Sequence, residues 1–183
     1  KQKWMEKKMY GQFIRERSEK VDKEKTWYWL SRSDIKIETE ALLCAAQEQA
    51  IRTNYIKYHI DKSIDSSLCR MCGKGIKSLQ HIVSECEKLA QKEYKRRHDN
   101  VAKKIHWDLC KRNGLERQEK WYEHTPHGAL ENDDVKLLWD INIQCDNVIE
   151  ARRPNIVLID KQERACIIVD IAVPADGRVE EKE

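Results

Sequence analysis

Four potential metal ligands lie within 18 consecutive residues of this 183-residue chain. They form the pattern Cys-x2-Cys-x8-His-x4-Cys, with Cys69, Cys72, His81 and Cys86 as the possible ligands. Two thiolates two residues apart can bind one ion from a tight turn, and Gly73 and Gly75 supply residues that adopt positive φ easily. A helical turn between His81 and Cys86 would complete a tetrahedral Cys3His site with no open position. The spacing therefore predicts a structural zinc ion, which would stabilise a segment too short to fold alone.

The alternative is that Cys69 and Cys72 are small core residues and that His81 caps a helix. The other cysteines are Cys44, Cys110, Cys145 and Cys166, and none has a partner at ligand spacing. We expect each of these four to be a buried apolar thiol. No secretory signal precedes them, so we expect reduced thiols rather than a disulfide framework.

Charge is distributed unevenly along the chain. Residues 1–125 contain 28 Lys and Arg against 19 Asp and Glu, whereas residues 126–183 contain 7 against 13. The basic part suits a polyanionic partner and the acidic part suits a divalent metal, although a charged surface can also be merely solvated. The cations expected to contact nucleic-acid phosphates fall into two groups, Arg70, Lys74 and Lys77 beside the predicted zinc ligands, and Lys95, Arg96, Arg97 and His98 further on.

Apolar periodicity predicts an α+β fold with a helical first part and a β-rich second part. No apolar run reaches the ~20 residues that a transmembrane helix needs, so we expect no membrane partner. Helices are predicted over residues 1–25, over Thr39–His59 with Thr39 as N-cap, and over Cys86–Asn113 before the stop signal Gly114. The apolar face of the last helix is predicted to contain Leu89, Val101, Ile105 and Leu109.

Strand-like alternation begins at Leu137 and continues through Trp139 and Ile141 to Ile143. Two β-branched runs follow, over Ile156–Ile159 and Ile167–Val169. Asp170 ends the second run, where an unpaired charge among apolar residues is costly. Its partner is predicted to be either a divalent metal or one of the cations Arg153 and Lys161.

Together these features resemble the C-terminal region of the polyproteins of non-LTR retrotransposons that carry a restriction-like endonuclease. The matching segments are Thr39-Glu40 through Gln47, Cys69–Cys86, Arg97-His98-Asp99, Trp139-Asp140, Arg153-Pro154-Asn155 and Asp170 through Pro174. The resemblance covers most of residues 27–182. It implies a helical region over residues 1–66, a CCHC zinc knuckle with a basic helix over 67–128, and an incomplete endonuclease domain of the PD-(D/E)xK class over 129–183.

The resemblance also implies a function. In that family the knuckle helps to position nucleic acid, and the nuclease nicks target DNA so that the freed 3′ end primes reverse transcription. The implied partners are DNA or RNA and the rest of the polyprotein, the implied location is the nucleus, and the implied nuclease cofactor is Mg²⁺. Asp170 matches the second acidic position of the nuclease, Asn155 stands in place of the first, and Lys182 is the only lysine available after Asp170. Arg97-His98-Asp99 matches a motif with a structural or DNA-contacting role.

Departures from the family pattern favour a chain without catalytic activity. Asn155 offers a neutral carbonyl oxygen where Mg²⁺ would favour a carboxylate. Lys182 lies one residue from the end of the sequence, and the helix and strands expected after Asp170 do not follow it. Asp133-Asp134 lies in a polar turn rather than in a polymerase palm, and the absence of an initial Met suggests a piece of a longer protein. The alternatives are a working Mg²⁺-dependent endonuclease and a non-catalytic interaction domain that uses zinc only as a staple.

Overall fold

The computed structural model describes residues 11–15, 21–32, 35–144 and 153–174, together with Lys3, Glu6 and Glu19. The described chain combines helices with one antiparallel four-stranded sheet, which confirms the mixed α and β prediction. It divides into two compact units, of which the first extends to Gln91 and the second covers Lys92–Val173.

Before the knuckle, the described residues of the first unit form four short α-helices. These are α1 (Gln12–Arg15), α2 (Tyr28–Arg32), α3 (Ile37–Gln47) and α4 (Asn54–His59), with a 3-10 turn over Lys25–Trp27 before α2. Trp27 packs edge-on against Phe13 with ring centroids 5.7 Å apart. Within the predicted helix over residues 1–25, the described residues include the short helix at Gln12–Arg15 and irregular backbone at residues 21–24, and 12 of the 25 residues lie outside the described part.

The prediction of one helix over Thr39–His59 was wrong. Helix α3 begins two residues before Thr39, with Lys36 as its N-cap, and it ends at Gln47. Gln49 adopts a φ of +57°, and the N–H of Ala50 bonds to the carbonyl of Ala45 at 2.7 Å. This arrangement is a Schellman motif, which closes a helix through a left-handed residue even where that residue is not glycine.

The helical region after the knuckle is less uniform than the predicted helix over Cys86–Asn113. It comprises α5 (Glu87–Leu89), a π-helical turn over Ala90–Tyr94, and α6 (Lys95–Arg112). Gly114 follows α6 with a φ of +65°, and the N–H of Leu115 bonds to the carbonyl of Cys110. The predicted glycine stop is therefore confirmed.

The buried face of α6 differs by one position from the predicted face. Ala102, His106 and Cys110 are buried, whereas Val101 is 40% exposed and Ile105 and Leu109 are partly buried. The prediction ranked positions by apolarity, so it could not place a histidine in the core. In the core, Nδ1 of His106 lies 2.8 Å from Nε2 of His124.

The sheet has the order β1-β2-β3-β4, with β1 at Ala129–Glu131, β2 at Val135–Trp139, β3 at Ile156–Asp160 and β4 at Ala165–Val169. Strands β3 and β4 were predicted from their β-branched runs, whereas β1 was not predicted. Strand β2 ends at Trp139 rather than at Ile143, because Asp140 turns away with a φ of +50°. Asn132 shapes the β1–β2 turn by accepting the N–H groups of Asp134 and Val135 through its side-chain oxygen.

The core of the second unit lies between α6 and one face of the sheet. Its buried members are Cys110, Leu115, Val135, Leu137, Ile156 and Leu158. Strand β4 pairs with β3 along its whole length, yet Ile167 and Ile168 are 54% and 61% exposed.

Candidate metal centre and nucleic-acid interface

A short β-bridge holds the two cysteines of the knuckle in a tight turn. Leu68 pairs with Ile76, and the N–H of Cys69 bonds to the carbonyl of Gly75 at 2.7 Å. Gly73 adopts a φ of +71°, and its N–H bonds to the carbonyl of Cys69. The left-handed residue expected after Cys72 is therefore present.

The other two candidate ligands lie on a π-helical turn over His81–Glu85. Ser78 caps this turn, because its hydroxyl oxygen accepts the N–H of His81 at 3.0 Å. The N–H of Cys86 bonds to the carbonyl of His81 at 2.8 Å, which closes the turn just as the chain delivers its last thiol. The helical turn that the spacing required is thus present in a wider form than an α-helical turn.

The four donor atoms converge. One donor atom from each of Cys69, Cys72, His81 and Cys86 lies within 4.8 Å of the others. Cys72 Sγ lies 3.4 Å from His81 Nε2. Zn–S and Zn–N bonds at tetrahedral angles place sulfur and nitrogen ligands roughly 3.5 Å apart. The cluster could therefore hold a metal ion, and its soft donor set is compatible with structural zinc.

Backbone amides favour the thiolate form of Cys72. Hydrogen bonds from the N–H groups of Gly75 and Lys74 lower the pKa of this thiol to about 6. Cys86 is fully buried, and desolvation raises the pKa of its thiol. Because a metal binds thiolates, an ion would remove the cost of ionising Cys86 in this buried place.

Gly75 leaves room for the imidazole of His81. A Cβ built on Gly75 would overlap the His81 ring, whereas a Cβ on Gly73 would meet no atom within 4 Å. The two glycines therefore have different roles. Gly73 supplies a backbone conformation, and Gly75 supplies the space that a ligand ring occupies.

The predicted nucleic-acid contacts fall into two classes. Lys74 pairs with Glu87, Lys95 with Asp99, and Arg96 with Glu93. Within the described part of the chain, Arg70 and Lys77 have no carboxylate at ion-pair distance, and Arg70 is exposed. The cations with the fewest competing carboxylates are thus the two on the knuckle turn.

Arg97 and His98 hold the segment that follows β4. Arg97 Nη2 donates to the carbonyl of Val173 at 3.4 Å, and His98 Nε2 lies 2.9 Å from the carbonyl oxygen of Ile171. His98 Nδ1 lies 3.1 Å from a carboxylate oxygen of Asp99. Since a carbonyl oxygen only accepts, His98 Nε2 carries a proton. These contacts support a structural role for the Arg97-His98-Asp99 motif, which holds the segment after β4 against the helix.

The fold brings two of the three predicted nuclease positions together. Asn155 and Asp170 flank the paired residues Ile156 and Val169 at one end of the β3–β4 hairpin. The side-chain oxygen of Asn155 accepts the N–H of Ile171 at 2.7 Å. Asp170 is exposed, so its charge remains hydrated. Lys182 lies outside the described residues.

Neither of the two cations predicted as alternative partners of Asp170 pairs with it. Arg153 pairs with Asp140 at 2.8 Å, and Lys161 pairs with Glu131 at 2.7 Å. The expectation of buried thiols is confirmed for Cys110. It is wrong for Cys166, which is exposed, and Cys44 is half-buried. Cys145 lies outside the described residues.

A second group of potential ligands was missed from the sequence. His106, Cys110 and His124 are all buried, and one donor atom of each lies within 4.8 Å of the others. Burial lowers the pKa of His106 to about 4 and also lowers the pKa of His124, so both rings are neutral near pH 7. The available signal was His-x3-Cys, which places two ligands on one face of a helix.

Comparison with known protein families, curated proteins and solved structures found no match to this chain. Within the described residues, no helix combines the length and apolarity needed to cross a bilayer.

Proposed function

We propose that this chain is a nucleic-acid-binding segment from the C-terminal region of a retrotransposon polyprotein. In this proposal it positions target DNA or template RNA in the nucleus for target-primed reverse transcription, and the remainder of the polyprotein is its partner. The observation that carries the proposal is the convergence of four potential metal ligands from two turns, the first of which also presents cations without competing carboxylates. Zinc is the proposed structural ion of this turn.

The surface around the knuckle suits single-stranded nucleic acid. Leu68, Met71 and Ile76 are each about half exposed, next to Arg70 and Lys77. Cations can contact phosphates while apolar side chains contact the faces of unstacked bases. The ion pairs of Lys74, Lys95 and Arg96 are exposed, and such pairs contribute roughly 0–1 kcal/mol. Phosphates can therefore displace these carboxylates at little cost.

The binding test is a salt titration of the full chain with labelled single-stranded DNA and RNA. We expect affinity to fall steeply with salt, and the Arg70→Ala/Lys77→Ala variant to bind more weakly with a shallower slope. Each phosphate contact to a single strand contributes roughly 0.7 to the slope of log K against log salt, so two lost contacts should lower it by about 1.4. The matched control is Lys120→Ala/Lys136→Ala, which removes the same charge elsewhere.

Two outcomes would contradict the binding proposal. Equal effects of both double variants would mean that only net charge matters and that the knuckle is not the interface. Normal zinc binding without measurable nucleic-acid affinity would favour a non-catalytic interaction domain in which zinc is only a staple.

For the β-rich part we propose an inactive nuclease remnant of the PD-(D/E)xK class. Asn155 and Asp170 lie at one end of the hairpin, which is where such a nuclease would place two acidic ligands. An amide oxygen replaces one anionic ligand, and Mg²⁺ sites with few protein ligands depend strongly on each carboxylate.

The nuclease proposal is tested by a plasmid-nicking assay with Mg²⁺ or Mn²⁺. We expect no nicking by the natural sequence. Asn155→Asp restores the missing carboxylate, and its side chain can still accept the N–H of Ile171. Nicking by this variant alone would identify Asn155 as the inactivating residue, whereas nicking by the natural sequence would support the alternative of an active endonuclease.

A further inference from the structure

We propose that His106, Cys110 and His124 form a second zinc site, in the core of the second unit and separate from the knuckle. His106 and Cys110 lie one helical turn apart on α6, and His124 reaches them from the segment between Gly114 and β1. The proposal concerns metal binding and stability, so it extends beyond the proposed nucleic-acid function.

The three donor atoms already lie near ligand spacing. His106 Nδ1 is 2.8 Å from His124 Nε2 and 3.5 Å from Cys110 Sγ. Ligands of a tetrahedral zinc ion lie roughly 3.3–3.8 Å apart. A shift of about half an ångström between the two imidazoles would therefore admit the ion.

The hydrogen bonds around His124 match those of a metal-bound histidine. Its Nδ1 lies 2.6 Å from Gln118 Oε1, which also accepts the backbone N–H of Thr125. Since this oxygen only accepts, His124 Nδ1 carries the proton, and the lone pair of the neutral ring lies on Nε2. That atom is the one directed at His106. Metal-bound histidines characteristically donate their other ring N–H to an oxygen in this way.

Hydrogen bonding alone accounts poorly for the burial of His106. The residue is fully buried, and its Nε2 has no hydrogen-bond partner among the described residues. A buried polar atom left without a partner costs about 1–3 kcal/mol. An ion at Nδ1 would leave Nε2 protonated, so the ligand role rests on the convergence of His106 Nδ1 with His124 Nε2 and Cys110 Sγ.

A second ion would fasten a segment that has little regular structure. Residues 115–128 contain no helix or strand, which is long for a connection inside a compact unit. Trp107 Nε1 bonds to the carbonyl of Gln118, and Lys103 Nζ bonds to that of Tyr122. Coordination would replace the hydrogen bond between His124 and His106 with bonds from both rings to one ion. Imidazole and thiolate donors together favour zinc over magnesium or calcium.

The first test is the zinc content of the full chain, purified in zinc and measured by native mass spectrometry with a metal assay. We expect two zinc ions per chain. Cys110→Ala should retain one. Cys69→Ser/Cys72→Ser, which leaves the knuckle only two ligands, should also retain one, and the triple variant should retain none. The matched control is Cys166→Ala, which removes an exposed thiol outside both clusters and should retain two.

A cobalt titration of the Cys69→Ser/Cys72→Ser variant provides a readout that does not alter the second site. We expect one Co²⁺ with tetrahedral d–d absorption and a sulfur-to-cobalt band from a single thiolate. One zinc ion per unmodified chain, unchanged by Cys110→Ala, would overturn the second site. That result would leave the knuckle and its nucleic-acid binding intact, so the two proposals fail separately.

Discussion

At the scale of single residues, the knuckle depends on two glycines for different physical reasons. A Cβ at position 73 would meet no neighbouring atom, but Gly73 adopts a positive φ. A Cβ at position 75 would overlap the ring of His81. A left-handed conformation costs a non-glycine residue roughly 1–2 kcal/mol. Overlap with a ligand ring cannot be relieved without moving the ligand.

We therefore expect Gly75→Ala to weaken zinc binding at the knuckle by more than Gly73→Ala does. Displacement of His81 should lower affinity roughly 10–100-fold, in the range found when a ligand loses its orientation. The measurement is a zinc competition titration against a chromophoric chelator. Equal losses for the two variants would show that backbone conformation, rather than space for the imidazole, limits the site.

The sequence anticipated the knuckle because ligand spacing is a local property. Cys69 and Cys72 share one turn, and His81 and Cys86 share another, so four positions along the chain define the site. The cluster at His106 was not anticipated, because its third member, His124, approaches through tertiary structure. From sequence alone, a histidine on a helix is assigned to the surface, because the residue that would pair with it in the core is not known.

At the scale of elements, α6 and the sheet stabilise each other through a small core. Leu137 is fully buried on β2 between Val135 and Trp139, whereas Ile168 on β4 is 61% exposed. We expect Leu137→Ala to destabilise the second unit by about 2–5 kcal/mol, since it removes buried methyl groups and leaves a cavity.

The measurement is urea unfolding of the full chain followed by tryptophan fluorescence, because Trp139 borders this core. The matched control is Ile168→Ala, which should cost less than about 1 kcal/mol because its side chain remains largely hydrated. A loss at Ile168 as large as that at Leu137 would mean that another surface covers β4 in solution.

Element boundaries were predicted less well than element types. The end of α6 was predicted because Gly114 is a glycine, the residue type that most often adopts the positive φ of a helix end. The end of α3 was missed because Gln49 adopts the same conformation without that signal. Strand β2 was predicted too long, since alternation continues to Ile143 although the backbone turns at Asp140.

At the scale of the whole molecule, the candidate metal centres belong to different units. The knuckle ligands lie before Gln91, and the residues of the sheet core all lie within Lys92–Val173. We expect Cys72→Ser to abolish hydrogen-exchange protection in the knuckle while strands β2 and β3 keep theirs. Local stability follows the cooperative unit to which an amide belongs.

Peptide-resolved hydrogen exchange with mass spectrometry measures both regions in one experiment. The control is zinc chelation of the unmodified chain, which should also expose α6 if the second site holds an ion. Loss of protection in β2 and β3 on Cys72→Ser alone would show that the two units fold as one.

The fastening of the chain after β4 relies on main-chain carbonyls. Arg97 and His98 bond to the carbonyl oxygens of Val173 and Ile171, a main-chain group that any residue at those positions would supply. Substitutions at positions 171 and 173 should therefore cost little stability, because any residue keeps the carbonyl oxygen. Substitutions of Arg97 and His98 should cost more, because they remove the side chains that make these bonds. When a library randomised at these four positions is selected for folded protein, we expect Arg97 and His98 to be enriched and many residue types to be accepted at positions 171 and 173.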